Sequence, residues 1–294
     1  MMITLALAQT APKLGLLHHN LQEHLRLATQ AADQGADLIV FPELSLTGYN
    51  LQDLAPTMAI TANASDPVFA ELLAASQRID LVFGFVEVDS RYRYYISAAY
   101  LSRGQCLHIH RKVYLPTYGI FDEGRYFAAG DSLRAFNTRF GRVGMLICED
   151  FWHISAPYAL WQDGADLFLF ISASPGRGVT DEVIGSAAWV ENIHRSYSGL
   201  FTSFIAHTNR VGFEDGLNFW GGSMVHDPDG RPLAKAPYNQ PFLQIAQLDL
   251  AQLRRTRERL PLLRDEKPGL LASELKRIRR GPTNNHPQGT PSEG

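Results

Sequence analysis

The chain is poor in cysteine, has no long apolar run and carries no strong charge of either sign, and each shortage removes a class of explanation. Its 294 residues contain two cysteines, Cys106 and Cys148. That is too few for a disulfide framework and fits a reducing, cytoplasmic compartment with one thiol kept for chemistry. No apolar stretch approaches the roughly 18 residues of a membrane span, and residues 1–9 lack the basic start and apolar length of a signal peptide. The formal net charge is -3, so no global field favours nucleic acid or an anionic membrane as a partner. Basic residues cluster at Arg254, Arg255, Arg257 and Arg259 and again at Lys276, Arg277, Arg279 and Arg280, each read as a solvated helix face. The glycine-rich stretch 172–178 is not followed by the Gly-Lys-Ser/Thr of a phosphate loop.

What is present is ordinary globular composition, 45% hydrophobic and 19% charged, with length for a substantial core. No linker interrupts residues 1–280, which read as one domain. Residues 281–294 contain almost nothing apolar and read as a disordered tail. Strand patterns at 3–9, 37–41, 81–88, 142–147, 166–171, 201–207 and 242–248 alternate with helical patterns at 66–78, 154–162, 181–197 and 250–259. Another helix is expected to open at Asn20, with Glu23 completing a capping box. Residues 94–101 and 106–110 flank Ser102-Arg103-Gly104-Gln105 and predict a hairpin, and Asp227-Pro228-Asp229-Gly230 predicts another. The segment Gln34-Gly35-Ala36-Asp37-Leu38-Ile39-Val40-Phe41 is echoed by Asp163-Gly164-Ala165-Asp166-Leu167-Phe168-Leu169-Phe170. Two such helix-to-strand junctions point to a pseudo-symmetric α/β fold.

Chemistry-bearing residues stand where strands end. The apolar run 142–147 stops at Cys148-Glu149-Asp150, the run 37–41 stops at Pro42-Glu43, and Lys112 leaves the second arm of the hairpin for a long loop, 117–130. Ligand sites in α/β layers gather beyond the carboxyl ends of strands. A thiol, a carboxylate and an ammonium brought together can attack an amide carbon. The carboxylate takes the thiol proton, the thiolate adds to the carbonyl, and the ammonium with a backbone N–H holds the oxyanion. A buried structural cysteine, a surface glutamate and a solvated lysine are the alternative readings of the same three residues. Asp150 is expected to cap the turn after Cys148. His108 and His110 share a strand face, as a metal pair would, but no third ligand is near in sequence and an exposed hairpin is the preferred reading. Trp152, Trp161 and Trp189 are read as packing residues. No cofactor and no metal is expected.

Phe41-Pro42-Glu43-Leu44, His110-Arg111-Lys112-Val113-Tyr114-Leu115-Pro116 and Ile147-Cys148-Glu149-Asp150-Phe151-Trp152 resemble, in order, the three signature blocks of the nitrilase superfamily of carbon-nitrogen hydrolases. The resemblance covers about residues 3–280. It implies a four-layer αββα sandwich, a homodimer, and a site in which Glu43 is the general base, Lys112 the oxyanion stabiliser and Cys148 the nucleophile. It also implies that Glu123 positions Lys112 and the substrate amide, and that the Glu149 backbone N–H completes the oxyanion hole. Within the superfamily the chain is most similar to the glutaminase domains of glutamine-dependent NAD synthetases, through residues 42–49, 148–152, Ala173-Ser174-Pro175 and Gly221-Gly222-Ser223. The Ser-Gly-Gly pyrophosphatase loop of the synthetase half is not in these residues, so a stand-alone amidase is expected. Its substrate would be glutamine or another small ω-amide, with water as co-substrate and Tyr118, Ser174 and Arg177 as substrate contacts. A nitrilase, an N-carbamoyl amidohydrolase, an acyltransferase using the same thioester, or an idle dimeric binding partner are the competing readings.

Overall fold

The computed structural model describes residues 1–180 and 183–280, so the tail expected at 281–294 lies outside the described residues. The strands that matter are β1 (Met2–Gln9), β2 (Leu38–Val40), β3 (Asp80–Val88), β4 (Tyr94–Ser102), β5 (Gln105–Arg111), β6 (Phe136–Thr138) and β7 (Gly141–Ile147). They continue with β8 (Leu167–Ser172), β9 (Phe204–Asn209), β10 (Met224–His226), β11 (Pro232–Lys235) and β12 (Phe242–Asp249). They form two six-stranded sheets, ordered β12-β1-β2-β3-β4-β5 and β11-β10-β9-β8-β7-β6.

The alternation of apolar side chains along each strand decides what lies between the sheets and what lies outside. Ile3, Leu5 and Leu7 of β1 and Leu38 and Val40 of β2 meet Val143, Met145 and Ile147 of β7 and Leu167, Leu169 and Ile171 of β8 in one inner core. Their neighbours point the other way. Ala6, Ala8 and Ile39 pack under α1 (Leu17–Asp33) and α2 (Pro67–Ala75) through Leu21, Ala28, Phe69 and Leu72. Phe168 and Phe170 pack under α3 (Ser155–Gln162) and α4 (Gly185–Phe201) through Leu160, Trp161 and Phe201. Helices therefore cover both outer faces, and the molecule is the expected αββα sandwich. Cutting one inner leucine back to alanine costs about 2–5 kcal/mol at such positions.

The short sequence echo is a true internal repeat. Strand β1 pairs antiparallel with β12 and parallel with β2, as β7 pairs with β6 and β8. The junctions agree atom for atom: the Asp37 carboxylate accepts from Thr4 N at 2.9 Å and the Asp166 carboxylate from Arg142 N at 3.3 Å.

Several local expectations need correction. Helix α1 starts at Leu17, and Asn20 is no cap. Its buried amide instead clamps the preceding loop, accepting from Lys13 N and donating to Lys13 O and Leu46 O. The helix expected at 181–197 runs over Gly185–Phe201, with Thr202 in a left-handed conformation at its end, so β9 begins three residues late, at Phe204. Residues 181–182 of that expectation lie outside the described residues. The helix Pro268–Arg280 carries the late basic cluster and buries none of its residues, as a solvated face should. Among the described residues no helix is long and apolar enough to cross a membrane.

Candidate active site

Lys112 leaves β5 directly into the interior. Its backbone N donates to Ile96 O, and its carbonyl accepts from Gly130 N at 2.7 Å. A Cβ on Gly130 would stand 2.2 Å from Arg111 O, so only glycine lets the two segments approach this closely. The Lys112 side chain is wholly buried, and its Nζ donates to Glu43 Oε1 at 2.8 Å and Glu123 Oε1 at 2.7 Å. Burial alone would lower its pKa. The charges of Glu123 and Glu43 outweigh burial and hold it well above the ordinary lysine value.

Glu43 reaches this point because the chain leaves β2 through Phe41-Pro42 and because β3 carries Gly84 opposite, where any Cβ would stand 2.4 Å from Leu44 N. Its second oxygen accepts from Ala173 N at 2.8 Å, just past β8. Both halves of the sandwich therefore hold this carboxylate. Glu123 sits on a short helical turn, Glu123–Tyr126, where Tyr49 Oη donates to Oε1 at 2.6 Å. Burial pushes the Glu123 carboxyl up to about 7, against the pull of Lys112. Its other oxygen, Oε2, is buried without a partner. A buried acceptor left open next to a cavity is positioned for a donor that arrives with a ligand.

Cys148 follows β7 with φ 47°, in the left-handed region. That conformation costs a non-glycine residue about 1–2 kcal/mol and turns the side chain out of the sheet into a 3-10 turn, Cys148–Trp152. Burial, ahead of the Glu43 charge, raises the thiol well above its ordinary value, while Lys112 opposes both. The thiol is therefore protonated at neutral pH and needs a base before it can attack. Cys106 is half-buried and pushed up to about 11 by burial, with no such surroundings.

The cavity over Cys148 measures about 190 Å³, below the roughly 300–1,000 Å³ of drug-sized ligand pockets. Glu149, Ser174 and Arg177 supply its polar groups, and Tyr118, Phe121, Trp152 and Trp189 its walls. All three residues expected to touch substrate thus surround one space. Tyr118 Oη donates to Glu149 Oε2 at 2.8 Å, and burial with that bond pushes its pKa to about 12. The Arg177 guanidinium lies over the Phe121 ring, 4.5 Å from its centre. Among the described residues no group of three or more His, Cys, Asp or Glu side chains is arranged to hold a metal ion.

Some expectations fail here. Trp161 is core and Trp152 packs against Ala187 and Val190 as expected, while also lining the cavity; Trp189, largely exposed, walls the cavity instead of packing in the core. His110 is buried and joined to Asp150 at 2.8 Å, and His108 stacks on Phe136, so neither belongs to an exposed hairpin. Tyr49 lies in the 42–49 stretch that carries the resemblance, but no sequence pattern assigned it a role of its own. Its backbone N and that of Asn50 are held by Glu214, which pairs with the buried Arg210; this clamp lies 165 residues away in sequence and no local pattern announces it.

A thiol at a strained strand end that lines a small cavity, interacting electrostatically with a buried ammonium held between two carboxylates, in an αββα sandwich, defines a hydrolase of the nitrilase superfamily. Residues 4–258 match the carbon-nitrogen hydrolase family, and the chain belongs to it. Among curated relatives, the glutamine-dependent NAD(+) synthetase of Acinetobacter baylyi is 32% identical over 250 residues, covering 85% of this chain and 45% of that protein. The chain thus spans about half the length of that relative. N-carbamoylputrescine amidase of Arabidopsis thaliana is 26% identical, covering 83% of this chain and 86% of that protein. Among solved structures, a Glu-to-Gln mutant of the amidase from Nesterenkonia sp. AN1 matches with a TM-score of 0.77 and 25% identity, covering 92% of this chain and 96% of that one. It shows covalent addition of the acetamide moiety of fluoroacetamide at its active-site cysteine.

Proposed function

We propose that the chain hydrolyses the terminal amide of a small amino-acid-like molecule, glutamine or another ω-amide, through a thioester on Cys148, with release of ammonia. The observation that carries this reading is the wholly buried Lys112, hydrogen-bonded to two carboxylates and close enough to interact electrostatically with Cys148, which lines the cavity. An uncharged isostere would cost less to bury, so a charged trio here has a use beyond stability.

Glu43 takes the Cys148 proton as sulfur bonds to the amide carbon. The carbonyl oxygen becomes an oxyanion facing the Lys112 ammonium and the Glu149 backbone N–H. Glu43 then returns its proton to the departing nitrogen, the C–N bond breaks, and ammonia leaves a thioester. Water, deprotonated by Glu43, attacks that carbonyl; the C–S bond breaks, and the proton goes back to sulfur with release of the acid. The open Oε2 of Glu123 accepts from the substrate amide N–H. In the same cavity, Arg177 and Ser174 suit an α-carboxylate, and Glu149 with Tyr118 suits an α-ammonium.

An N-carbamoyl amine is the second reading, supported by the likeness to N-carbamoylputrescine amidase and by Glu149, which suits its ammonium. Such a substrate has no carboxylate for Arg177. Ammonia release from glutamine, asparagine and N-carbamoyl amines by the purified protein and its Arg177→Met variant separates the two. The proposal expects turnover of an ω-amide amino acid, with kcat/KM falling about tenfold or more in the variant as a charge-assisted contact is lost. Turnover of N-carbamoyl amines alone, indifferent to Arg177, would install the second reading.

A further inference from the structure

The catalytic groups stand on two separate sheets, Lys112 after β5 and Cys148 after β7, so something must fix their distance. One side chain touches both attachments. Asp150 is fully buried, two residues past Cys148, and its carboxylate is engaged by four donors. Oδ1 accepts from Val113 N and Tyr114 N, both at 2.9 Å, immediately after Lys112. Oδ2 accepts from Ile147 N at 3.1 Å, immediately before Cys148, and lies 2.8 Å from Nε2 of His110, two residues before Lys112. A carboxylate only accepts, so Nε2 of His110 carries the hydrogen.

We propose that Asp150, backed by His110, is a positioning residue that sets the Lys112 ammonium against the Cys148 sulfur. This goes beyond capping the local turn, and it rests on the reading of Lys112 and Cys148 as the reacting pair. Both oxygens are fully used, so an amide cannot replace the carboxylate. In Asp150→Asn the NH2 group must face fixed backbone N–H donors, either the two after Lys112 or the one of Ile147, where His110 can accept from it only by changing tautomer. One of the two segments is released while side-chain volume and shape stay the same.

The test measures ammonia release and the rate of iodoacetamide alkylation of Cys148 and Cys106, resolved by peptide mass, in Asp150→Asn, His110→Leu, Lys112→Ala and the double variant Asp150→Asn/Lys112→Ala. Slow alkylation of the half-buried Cys106 reports an intact fold. Asp150→Asn is expected to lower kcat about a hundredfold with KM within about threefold, as misplacement of reacting groups does. The same substitution should slow Cys148 alkylation in the parent and change it less than about twofold once Lys112 is gone, because there is no ammonium left to place. If Asp150→Asn does not fold, His110→Leu, which takes away one of the four donors, should reproduce the pattern at about tenfold in kcat. Equal slowing with and without Lys112, or kcat unchanged in the folded variants, overturns the positioning role. If Cys148 in the unaltered protein reacts no faster than Cys106, the reading of the site fails first and takes this inference with it.

Discussion

The two halves of the sandwich share one pairing scheme and even the same aspartate-to-backbone lock at their first junction, yet at the matched strand end only one of them carries a thiol. Registering β1 on β7 through their parallel partners β2 and β8 sets Leu7 against Met145 and Thr10 against Cys148. Thr10 is buried, with a hydroxyl that lacks a partner. By the same register the residue matching Glu43 is Ser172, whose hydroxyl joins His207 and Asn209 inside the second half. Strand cores repeat because burial tolerates only apolar side chains there. Strand ends diverge because solvent, loops and ligands set their terms. The unequal chemistry of this fold is therefore concentrated in a few residues past each strand, and substitutions at matched positions should have very unequal effects.

The largest contrast is expected between Glu43→Gln and its counterpart Ser172→Ala. Removing a general base costs roughly 10²–10⁴-fold in rate, whereas Ser172→Ala removes neutral hydrogen bonds of about 0.5–1.5 kcal/mol each and lowers stability more than kcat. Steady-state ammonia release, with a denaturant melt of each variant, measures both. Thr10→Ala should leave kcat within about twofold, since its hydroxyl meets no reacting group. A large kinetic loss in Thr10→Ala would mean that the halves share catalysis, contrary to the asymmetry drawn here.

A smaller effect sharpens the comparison by pH. Burial sets Glu123 at about 7, and the Tyr49 hydrogen bond favours the carboxylate form. If the carboxylate is the working form, kcat/KM rises with pH through about 7. Tyr49→Phe removes the donor, so the midpoint should move up by about one unit, the equivalent of about 1.4 kcal/mol. A pH–rate profile of the two proteins reads this directly, and a midpoint that stays still excludes Tyr49 from the tuning of Glu123.

The smallest effect concerns stability. Three of the buried histidines are held by burial itself, His24 in the first half and His194 and His207 in the second. Burial lowers all three, His24 to about 4 and His207 to about 3 from the ordinary 6.5, and His194 well below it. A depressed pKa means the folded state resists protonation. The stability these groups contribute is complete above 6.5 and drains away as pH falls toward their folded values. Urea midpoints should therefore decline below pH 6.5, with each histidine adding a slope of up to about 1.4 kcal/mol per pH unit. His24→Gln should remove one share of that slope, at a cost in stability that does not depend on pH. An unchanged slope would show that carboxylates, not histidines, govern acid unfolding.

What could be read from the sequence follows the same division. Runs such as 37–41 and 142–147 declare strands because their apolar side chains are close together in sequence, and the repeated Gly-Ala-Asp junction declared the symmetry. Glu43, Lys112 and Cys148 were legible because each follows such a run within a few residues. The clamps that hold them were not. Gly84 admits the backbone around Glu43 from another strand, Glu214 holds the Tyr49 loop from a distant hairpin, and Asp150 joins two sheets. Each depends on a contact across many residues, which no local spacing encodes. Asn20 misled for a related reason: its type suits a helix cap, but burial turned the amide toward Lys13 and Leu46.

The account turns on covalent chemistry at one sulfur. The direct measurement is the intact and peptide mass of the unaltered protein, acid-quenched during incubation with glutamine, beside ammonia release by Cys148→Ala. The account predicts an acyl group on Cys148, none on Cys106, and loss of ammonia release in Cys148→Ala of about 10⁴-fold or more. Ammonia release that survives Cys148→Ala, with no adduct on the cysteine, would contradict it.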